Sequence, residues 1–481
     1  MKNLVFDTYE LDKNATQSYA IPQELLMENA ARGMCEFISA SLPLHSRLLF
    51  LCGSGNNGAD CLALARMLAG DFKITLILPL GTKSDLAKLQ LRSCEILAQK
   101  GLLEIISEDC LSEDCSFEKF SGIVDGLFGA GFKGDFTPQI QALIQKANAQ
   151  KALKIACDIP SGIDSLGNPR TFNDKPFAFR ADFTLSMGAL KIGLFSDLAK
   201  DFVGEVRLLN LGIPSSLFCP HSVFKLLESQ DFKPPLRERQ NTHKGTFGHL
   251  SVICGTKQGA GILAGLASVR IGAGLTTLIA TSSLLNPPYE LMQSPNIPSN
   301  TTAILIGMGY GRDNPLNFKL LDFNVPLLLD ADIFYHTCFL ELLKAQNCIL
   351  TPHPKEFVEI LKRTKIAQIS LEELQQNRFT YALEFSKNYP NATLLLKGAN
   401  PIIIQNGSLF INPLGSSILA KGGSGDVLAG FIGGLLAQGY SCLEACIQGS
   451  LAHTLSANQI AQTYANFSLS PLDLIEQIRY I

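Results

Sequence analysis

The sequence predicts an α/β protein built as two layered domains, and three observations carry that prediction. The chain has 481 residues, more than one ordinary hydrophobic core organises. Short β-branched or leucine-rich runs alternate with segments of helical periodicity, the pattern of a parallel sheet with helices on both faces. Glycine-rich turns stand where these runs hand over to helices, notably Gly53-Ser-Gly-Asn-Asn-Gly-Ala-Asp60 and Lys421-Gly-Gly-Ser-Gly-Asp426. Two such loops, far apart along the chain, predict two active sites.

The first series opens with a long helix over 21–39, marked by Leu25, Leu26, Met27, Ala30 and Ala31. From Arg47 the alternation is regular. Residues 48–52 read as a strand, and 61–69 as a helix because Cys61, Leu64, Ala65 and Leu68 share one helical face. Strands follow at 72–78, 122–127 and 152–158, with helices at 85–100 and 138–149. After Leu211 the pattern dissolves, and the polar, proline-bearing stretch from Pro234 to Gly245 marks a domain boundary. The expected division is residues 1–215, a linker at 216–240, and residues 241–481. The second series has strands at 249–254, 276–280, 303–306, 325–329, 349–351 and 392–397, a hairpin over 401–411, and helices at 261–271 and 427–438.

Composition narrows the class of function. Hydrophobic residues make up 46% of the chain, and 40 basic against 43 acidic residues leave no electrostatic footprint for nucleic acid. The opening Met1-Lys-Asn-Leu-Val-Phe-Asp7 meets a charge before an apolar signal region develops, and no later run reaches the roughly 18 uncharged residues of a membrane span. A cytoplasmic protein without membrane or nucleic-acid partners is expected. The thirteen cysteines form no Cys-x-x-Cys pair and no Cys/His cluster at zinc spacing, so reduced, buried thiols are expected rather than disulfides or structural zinc. Glycine- and alanine-rich helices such as 259–274 suit close packing between subunits, and a homo-oligomer is expected.

In the first domain, Gly53, Gly55 and Gly58 satisfy the G-x-G-x-x-G spacing of a dinucleotide site. The acidic residue that would hold a ribose at the end of the next strand is missing, because Leu76-Ile-Leu-Pro79 stands there. An ordinary nicotinamide-dependent dehydrogenase is therefore disfavoured. The loop adds Asn56, Asn57 and Asp60, whose side-chain oxygens pyrophosphate binding does not require. Asp125 ends one strand-like run, and Asp158 ends another just before Ile159-Pro-Ser-Gly162. Carboxyl ends of parallel strands line the ligand crevice, so Asn57, Asp125 and Ser161 can converge as hard oxygen donors for a cation, leaving Asp158 for proton transfer. Taken singly, each Asp reads equally as a turn cap and each Gly as a permissive turn residue.

Three strings in order, Gly53-Ser-Gly-Asn-Asn-Gly-Ala-Asp60, Val124-Asp-Gly-Leu-Phe-Gly-Ala-Gly131 and Asp158-Ile-Pro-Ser-Gly162, resemble the N-terminal domain of the bifunctional NAD(P)H-hydrate repair enzymes, an epimerase of Rossmann-like fold. The resemblance covers residues 1–215. It implies that Asn56, Asn57, Gly58, Ala59 and Asp60, with Gly129, Ala130, Gly131, Phe132, Lys133, Gly134 and Asp135, contact the hydrate. It also implies that Asn57, Asp125 and Ser161 bind potassium, and that Asp158 is the acid/base interconverting the R and S forms. Ala59 stands where the family usually has a second glycine, and Cys61 where glycine is common. Lys191, in Gly188-Ala-Leu-Lys-Ile-Gly193, matches a further family segment and reads equally as a solvated charge.

In the second domain, Gly255-Thr-Lys-Gln-Gly-Ala-Gly261, Gly307-Met-Gly-Tyr-Gly311, Asp330-Ala-Asp332, Thr351-Pro-His-Pro354 and Lys397-Gly-Ala-Asn400 all sit at strand ends. A glycine-rich turn delivering Asp426 at a helix start offers backbone N–H groups to a phosphate with a carboxylate beside them. This ring of loops is similar to the ribokinase-like small-molecule kinases, and the G-x-x-x-x-G-K-[ST] P-loop is absent. With Lys355, Glu356 and Gly422 to Gly430 added, the strings resemble the ADP-dependent NAD(P)H-hydrate dehydratase domain over 235–478.

That resemblance implies a ribokinase-like fold in which Ala260, Gly309, His353 and Asp426 contact the hydrate. It assigns the adenine nucleotide to Lys397, Gly398, Ala399, Asn400, Pro401 and Gly425, with ADP as co-substrate; Mg²⁺ bridging the phosphates is expected on general grounds. Met308 and Lys355 depart from the family's usual proline and glycine. The implied function is repair of the hydrates NADHX and NADPHX, by epimerisation and by ADP-dependent dehydration of the S form with release of AMP and phosphate. The alternatives are a ribokinase-like kinase of a small vitamin-like alcohol with a regulatory N-terminal nucleotide binder, and a non-catalytic N-terminal scaffold.

Overall fold

A computed structural model describes residues 1–106, 117–280, 284 and 287–481. The chain forms two compact units, Asn3–Ser222 and Val223–Ile481, the second joined by Met1–Lys2. In the first, a seven-stranded sheet runs in the spatial order Glu205–Leu209, Phe183–Met187, Leu153–Cys157, Gly122–Gly126, Arg47–Cys52, Lys73–Ile77, Leu103–Ile106, every neighbouring pair parallel. Numbered along the chain, this is 7-6-5-4-1-2-3. The winding therefore reverses between Arg47–Cys52 and Gly122–Gly126, and such a switch point opens a crevice beyond the strands' carboxyl ends.

The central strand shows why the sheet is covered on both faces. Leu48, Phe50 and Cys52 pack with helices Gln23–Ser41, Asn56–Leu68 and Asp85–Gln99, while Leu49 and Leu51 pack with helix Pro138–Asn148. Alternation with apolar residues on both sides is what a buried parallel strand requires. Ser84 and Thr137 cap two of these helices by accepting from Ala87 N–H at 3.1 Å and Ile140 N–H at 3.4 Å. Helix Asn56–Leu68 begins earlier than the 61–69 apolar pattern indicates, because Asn56, Asn57 and Gly58 form its polar first turn.

The second unit repeats the logic. Met292–Ser294, Leu275–Ile279, His249–Ile253, Ala303–Ile306, Leu327–Leu329, Cys348–Leu350 and Ala392–Leu396 lie side by side and parallel, again in the order 3-2-1-4-5-6-7. Ile402–Gln405 and Ser408–Ile411 extend the sheet as an antiparallel hairpin, and Phe224–Leu226, from the stretch expected as linker, pairs in parallel with Ser408–Ile411. The helix expected at 427–438 begins at Ser424, inside the Gly-Ser-Gly-Asp string. The long helix Cys442–Thr463 gives no amphipathic signal, since its buried residues run unbroken from Ala445 to Thr454.

Among the described residues no helix is long and apolar enough to cross a membrane, and no disulfide is present. Cys110 and Cys115 lie outside the described residues.

Helices Gln258–Arg270 and Ser424–Ala437 touch through glycines: a Cβ at Gly430 would stand 2.3 Å from the Ala264 carbonyl oxygen, and one at Gly434 2.8 Å from that of Ser268. Gly430→Ala should therefore lower the unfolding free energy by about 1–3 kcal/mol, although alanine is the better helix former by about 1 kcal/mol. Urea denaturation checks this, and unchanged or increased stability would contradict the contact.

Candidate active sites at the two switch points

The first crevice is closed by glycine. A Cβ at Gly53 would stand 1.9 Å from the Leu127 carbonyl oxygen, and one at Gly58 1.9 Å from that of Gly53. The loops beyond the first and fourth strands can touch only without those side chains. Asn57 spans the junction, its Nδ2 donating to the Phe128 carbonyl at 3.0 Å. Ala59 and Cys61 are fully buried in the core beneath the loop, so Ala59 presents no methyl to the crevice. Gly126 makes room for Cys61: a Cβ at 126 would lie 2.6 Å from that of Cys61.

The three expected cation ligands come together here. Asp125, fully buried, accepts from Ser161 Oγ at 2.6 Å, Ser161 N–H at 2.7 Å and Leu127 N–H at 3.2 Å. Ser161 Oγ in turn accepts from Phe128 N–H at 2.9 Å, so Asn57, Asp125 and Ser161 all meet around the Phe128 peptide. Among the described residues, no cationic side chain is one of the groups that act on Asp125. Burial pushes its carboxyl up to about 6 against the pull of those hydrogen bonds. A buried carboxylate lacking a protein countercharge is suited to a bound cation.

Asp158 lies in a cleft of about 260 Å³ whose lining includes Asp12, Asn56, Asn57, Asp60 and Gly129. Its backbone is left-handed, at φ 66°, a conformation that costs a non-glycine residue energy and turns its carboxylate toward Lys191. Asp158 Oδ1 accepts from Lys191 Nζ at 2.5 Å and from Met187 N–H at 3.0 Å. Lys191 is 3% exposed and is therefore a buried ion-pair partner rather than a solvated charge. Asp60 is held well above the usual carboxylate range by burial and by the charges of Asp158 and Asp12. Asp12 is raised for the same first reason, against a hydrogen bond from Thr8 Oγ1 at 3.2 Å.

Of the expected loop 129–135, only Gly129 lines the cleft. Phe132 stacks on Phe136 and packs at a tilt against Phe128, and its carbonyl accepts from Arg170 at 2.6 Å, while Gly131, Lys133, Gly134 and Asp135 are exposed. Asp12 escaped the sequence reading. Its signal is its place three residues before buried Ala15, on the inward side of helix Tyr9–Tyr19.

At the second switch point a Cβ on Gly255 would stand 2.1 Å from Tyr310 Cα, and one on Gly307 1.7 Å from the Asp330 carbonyl oxygen. Gly309, at φ 57°, accepts from Lys257 N–H at 2.9 Å and faces Ala260. Lys397 Nζ binds the buried Asp330 at 2.7 Å and lies beside Gly425, 3.5 Å from where its Cβ would be. Burial and the Asp330 charge push Asp426 up to about 6 and Glu356 up to about 7, in each case opposed by Lys397. Asp332 Oδ2 accepts from Gly311 N–H at 2.9 Å.

His353 is a helix cap. Its Nδ1 accepts from Glu356 N–H at 3.3 Å, and its N–H donates back to Glu356 Oε2 at 2.8 Å. Its imidazole is half exposed and its pKa is lowered by burial and Lys397. Gly398 and Ala399 are exposed, whereas Asn400 and Pro401 are buried. Met308 lies in the core and Lys355 is exposed. His453 also escaped the sequence reading: buried under the helix start, its Nε2 meets the Ser424 carbonyl at 3.0 Å and Oγ at 3.1 Å, and burial lowers it to about 4.

The two family matches fall one to each unit. Residues 23–193 match the family described as YjeF-related protein N-terminus, and 250–479 the family described as NAD(P)H-hydrate dehydratase. The chain is 42% identical over 479 residues to the bifunctional NAD(P)H-hydrate repair enzyme Nnr of Helicobacter pylori, covering 98% of each. It is 30% identical to the protein of that name in Escherichia coli, over 95% of this chain and 89% of that one. Among solved structures it is similar to the ADP/ATP-dependent NAD(P)H-hydrate dehydratase from Bacillus subtilis co-crystallised with ATP/Mg²⁺, at 25% identity and TM-score 0.43, over 52% of this chain and 94% of that one.

Lys191→Met should cost about 1–3 kcal/mol of stability, less than the roughly 3–5 kcal/mol of a fully buried pair because the Asp158 side chain is 19% exposed. Adding Asp158→Asn should recover part of the loss in urea denaturation. A silent Lys191→Met would contradict the pairing.

Proposed function

This chain belongs to the bifunctional NAD(P)H-hydrate repair enzymes, an epimerase joined to a nucleotide-dependent dehydratase, and we propose that each switch point carries one of the two activities. The observation that carries the first assignment is the Asp158–Lys191 pair facing a cleft walled by Asn56, Asn57 and Asp60. In this reading Asp158 moves the proton that interconverts the R and S hydrates. Asn57, Asp125 and Ser161 hold potassium, which would supply the countercharge Asp125 lacks and tie the two loops together.

In the second unit, Asp426 orients the hydrate hydroxyl and accepts its proton, as a helix-start carboxylate with a pKa of about 6 can. The hydroxyl is a poor leaving group. Phosphorylation by ADP converts it to phosphate, which the ring-nitrogen lone pair expels; loss of a proton from the neighbouring ring carbon then restores the dihydropyridine, leaving AMP and phosphate. Phosphoryl transfer needs alignment and charge neutralisation, and Lys397, beside Gly425 with Gly398, Ala399, Asn400 and Pro401 following it, supports a nucleotide there. Among the described residues no three His, Cys, Asp or Glu side chains group to hold a metal by themselves, so magnesium would arrive on the nucleotide and neutralise its phosphates. Ala260 and Gly309, one loop away, and the exposed edge of His353 form the hydrate side. We also read the protein as cytoplasmic, on its mixed charge, and as homo-oligomeric.

Asp158→Asn should abolish epimerisation and spare dehydration of purified S hydrate; Asp426→Asn should lower dehydration by about 10²–10⁴-fold and spare epimerisation. Equal loss of both activities in either variant would sink the division. Because Asp426 must be ionised to act, dehydration by the wild type should fall as pH drops through about 6, which a pH–rate profile checks. Potassium should raise the thermal stability by about 1.4 kcal/mol at ten times its dissociation constant. The effect should be present at pH 8 and fade below about 6, where Asp125 takes up a proton. A pH-independent response would contradict Asp125 as a ligand.

A further inference from the structure

Resting on the epimerase reading of the first unit, we propose that Asp60 and Asp158 form an acid/base pair, Asp60 protonating the departing hydroxyl and Asp158 activating the water that returns on the opposite ring face. Both side chains line one cleft but arrive from different elements, Asp60 from helix Asn56–Leu68 and Asp158 from the end of strand Leu153–Cys157. Their surroundings differ in the way the two roles require. Asp158 Oδ1 is occupied by Lys191 Nζ and Met187 N–H, so it is the carboxylate of an ion pair. Asp60 accepts no hydrogen bond from any described residue.

Charge counting points the same way. Asp12, Asp60 and Asp158 line the cleft, and among the described residues the ammonium acting on them is that of Lys191 behind Asp158, so full ionisation would leave a surplus of two negative charges in a largely buried space. Like-charge repulsion in such a space keeps a proton on one carboxyl. Burial, Asp158 and Asp12 all hold the proton on Asp60, and only Lys191 opposes them. Asp12 has a Thr8 hydroxyl favouring its charged form, and the remaining titratable neighbour, the Cys157 thiol, stays neutral because its own pKa is raised.

The step balances without any further reagent. The bond from ring carbon to hydroxyl oxygen breaks as the adjacent ring-nitrogen lone pair forms a carbon–nitrogen double bond, and the Asp60 proton leaves with the oxygen as water. Water then adds to the other face, the electron pair returns to nitrogen, and the water's proton passes to Asp158. One proton has moved from Asp60 to Asp158, and exchange with solvent resets the pair. The planar intermediate is a cation, which suits a cleft with surplus carboxylates.

The test follows R-to-S conversion by the full chain without nucleotide, above the spontaneous rate. Asp60→Asn should lower kcat by about 10²–10⁴-fold with KM changed only a few-fold, and should erase the alkaline limb of the kcat/KM profile while dehydration of S hydrate persists. Asp12→Asn should move that limb to lower pH, because one repelling charge is gone. Wild-type enzyme in ¹⁸O-water should place solvent oxygen in the epimerised product, whatever the folding of the variants. A raised KM with kcat and the alkaline limb intact would make Asp60 a binding contact only, and epimerisation without ¹⁸O uptake would overturn the bond-breaking step. Wild-type enzyme that does not epimerise at all would overturn the premise instead.

Discussion

Each half of this protein depends on a backbone approach that no side chain permits. A Cβ at Gly53 would stand 1.9 Å from the Leu127 carbonyl oxygen, and one at Gly255 2.1 Å from Tyr310 Cα. Both glycines follow the first strand of a sheet whose order is 3-2-1-4-5-6-7, and both meet the loop after the fourth strand. The topology opens a crevice, and the glycine lets its walls touch. In the first unit this contact brings Asn57 to Phe128 and sets Asp125 and Ser161 around the same peptide. In the second it seats Gly309 on Lys257, beside Ala260.

The two sites also share an electrostatic plan. One lysine pairs with one carboxylate, Lys191 with Asp158 and Lys397 with Asp330. Further carboxylates stand close by, and burial plus like-charge repulsion raise them: Asp12 and Asp60 in the first unit, Glu356 and Asp426 in the second. Raising these carboxyls brings them toward the pH range in which acid and base work is done.

The fold was legible because buried parallel strands leave apolar runs, and helix–strand alternation fixes the class. Residues at strand ends were legible where glycine and aspartate fall together, as at Asp125 and Asp158. Helix starts were not: Asn56–Leu68 and Ser424–Ala437 begin inside polar glycine strings that periodicity cannot register. Lys191 was ambiguous because a sequence does not show burial, and Asp12 and His453 were invisible because what makes them matter is a partner far along the chain. In the loop after Gly129, which follows the family string, Gly131, Lys133, Gly134 and Asp135 are exposed and Gly129 lines the cleft.

The most direct measurement is recovery of reduced-nicotinamide absorbance from a mixed R/S hydrate of NADPH, with ADP, ATP or no nucleotide, in Mg²⁺ and K⁺. Two working sites on one chain predict nucleotide-dependent recovery of the whole mixture. Recovery that stops at the S fraction, beyond slow spontaneous epimerisation, would leave the second site standing and contradict the first. A stable phosphorylated product without recovery would contradict both.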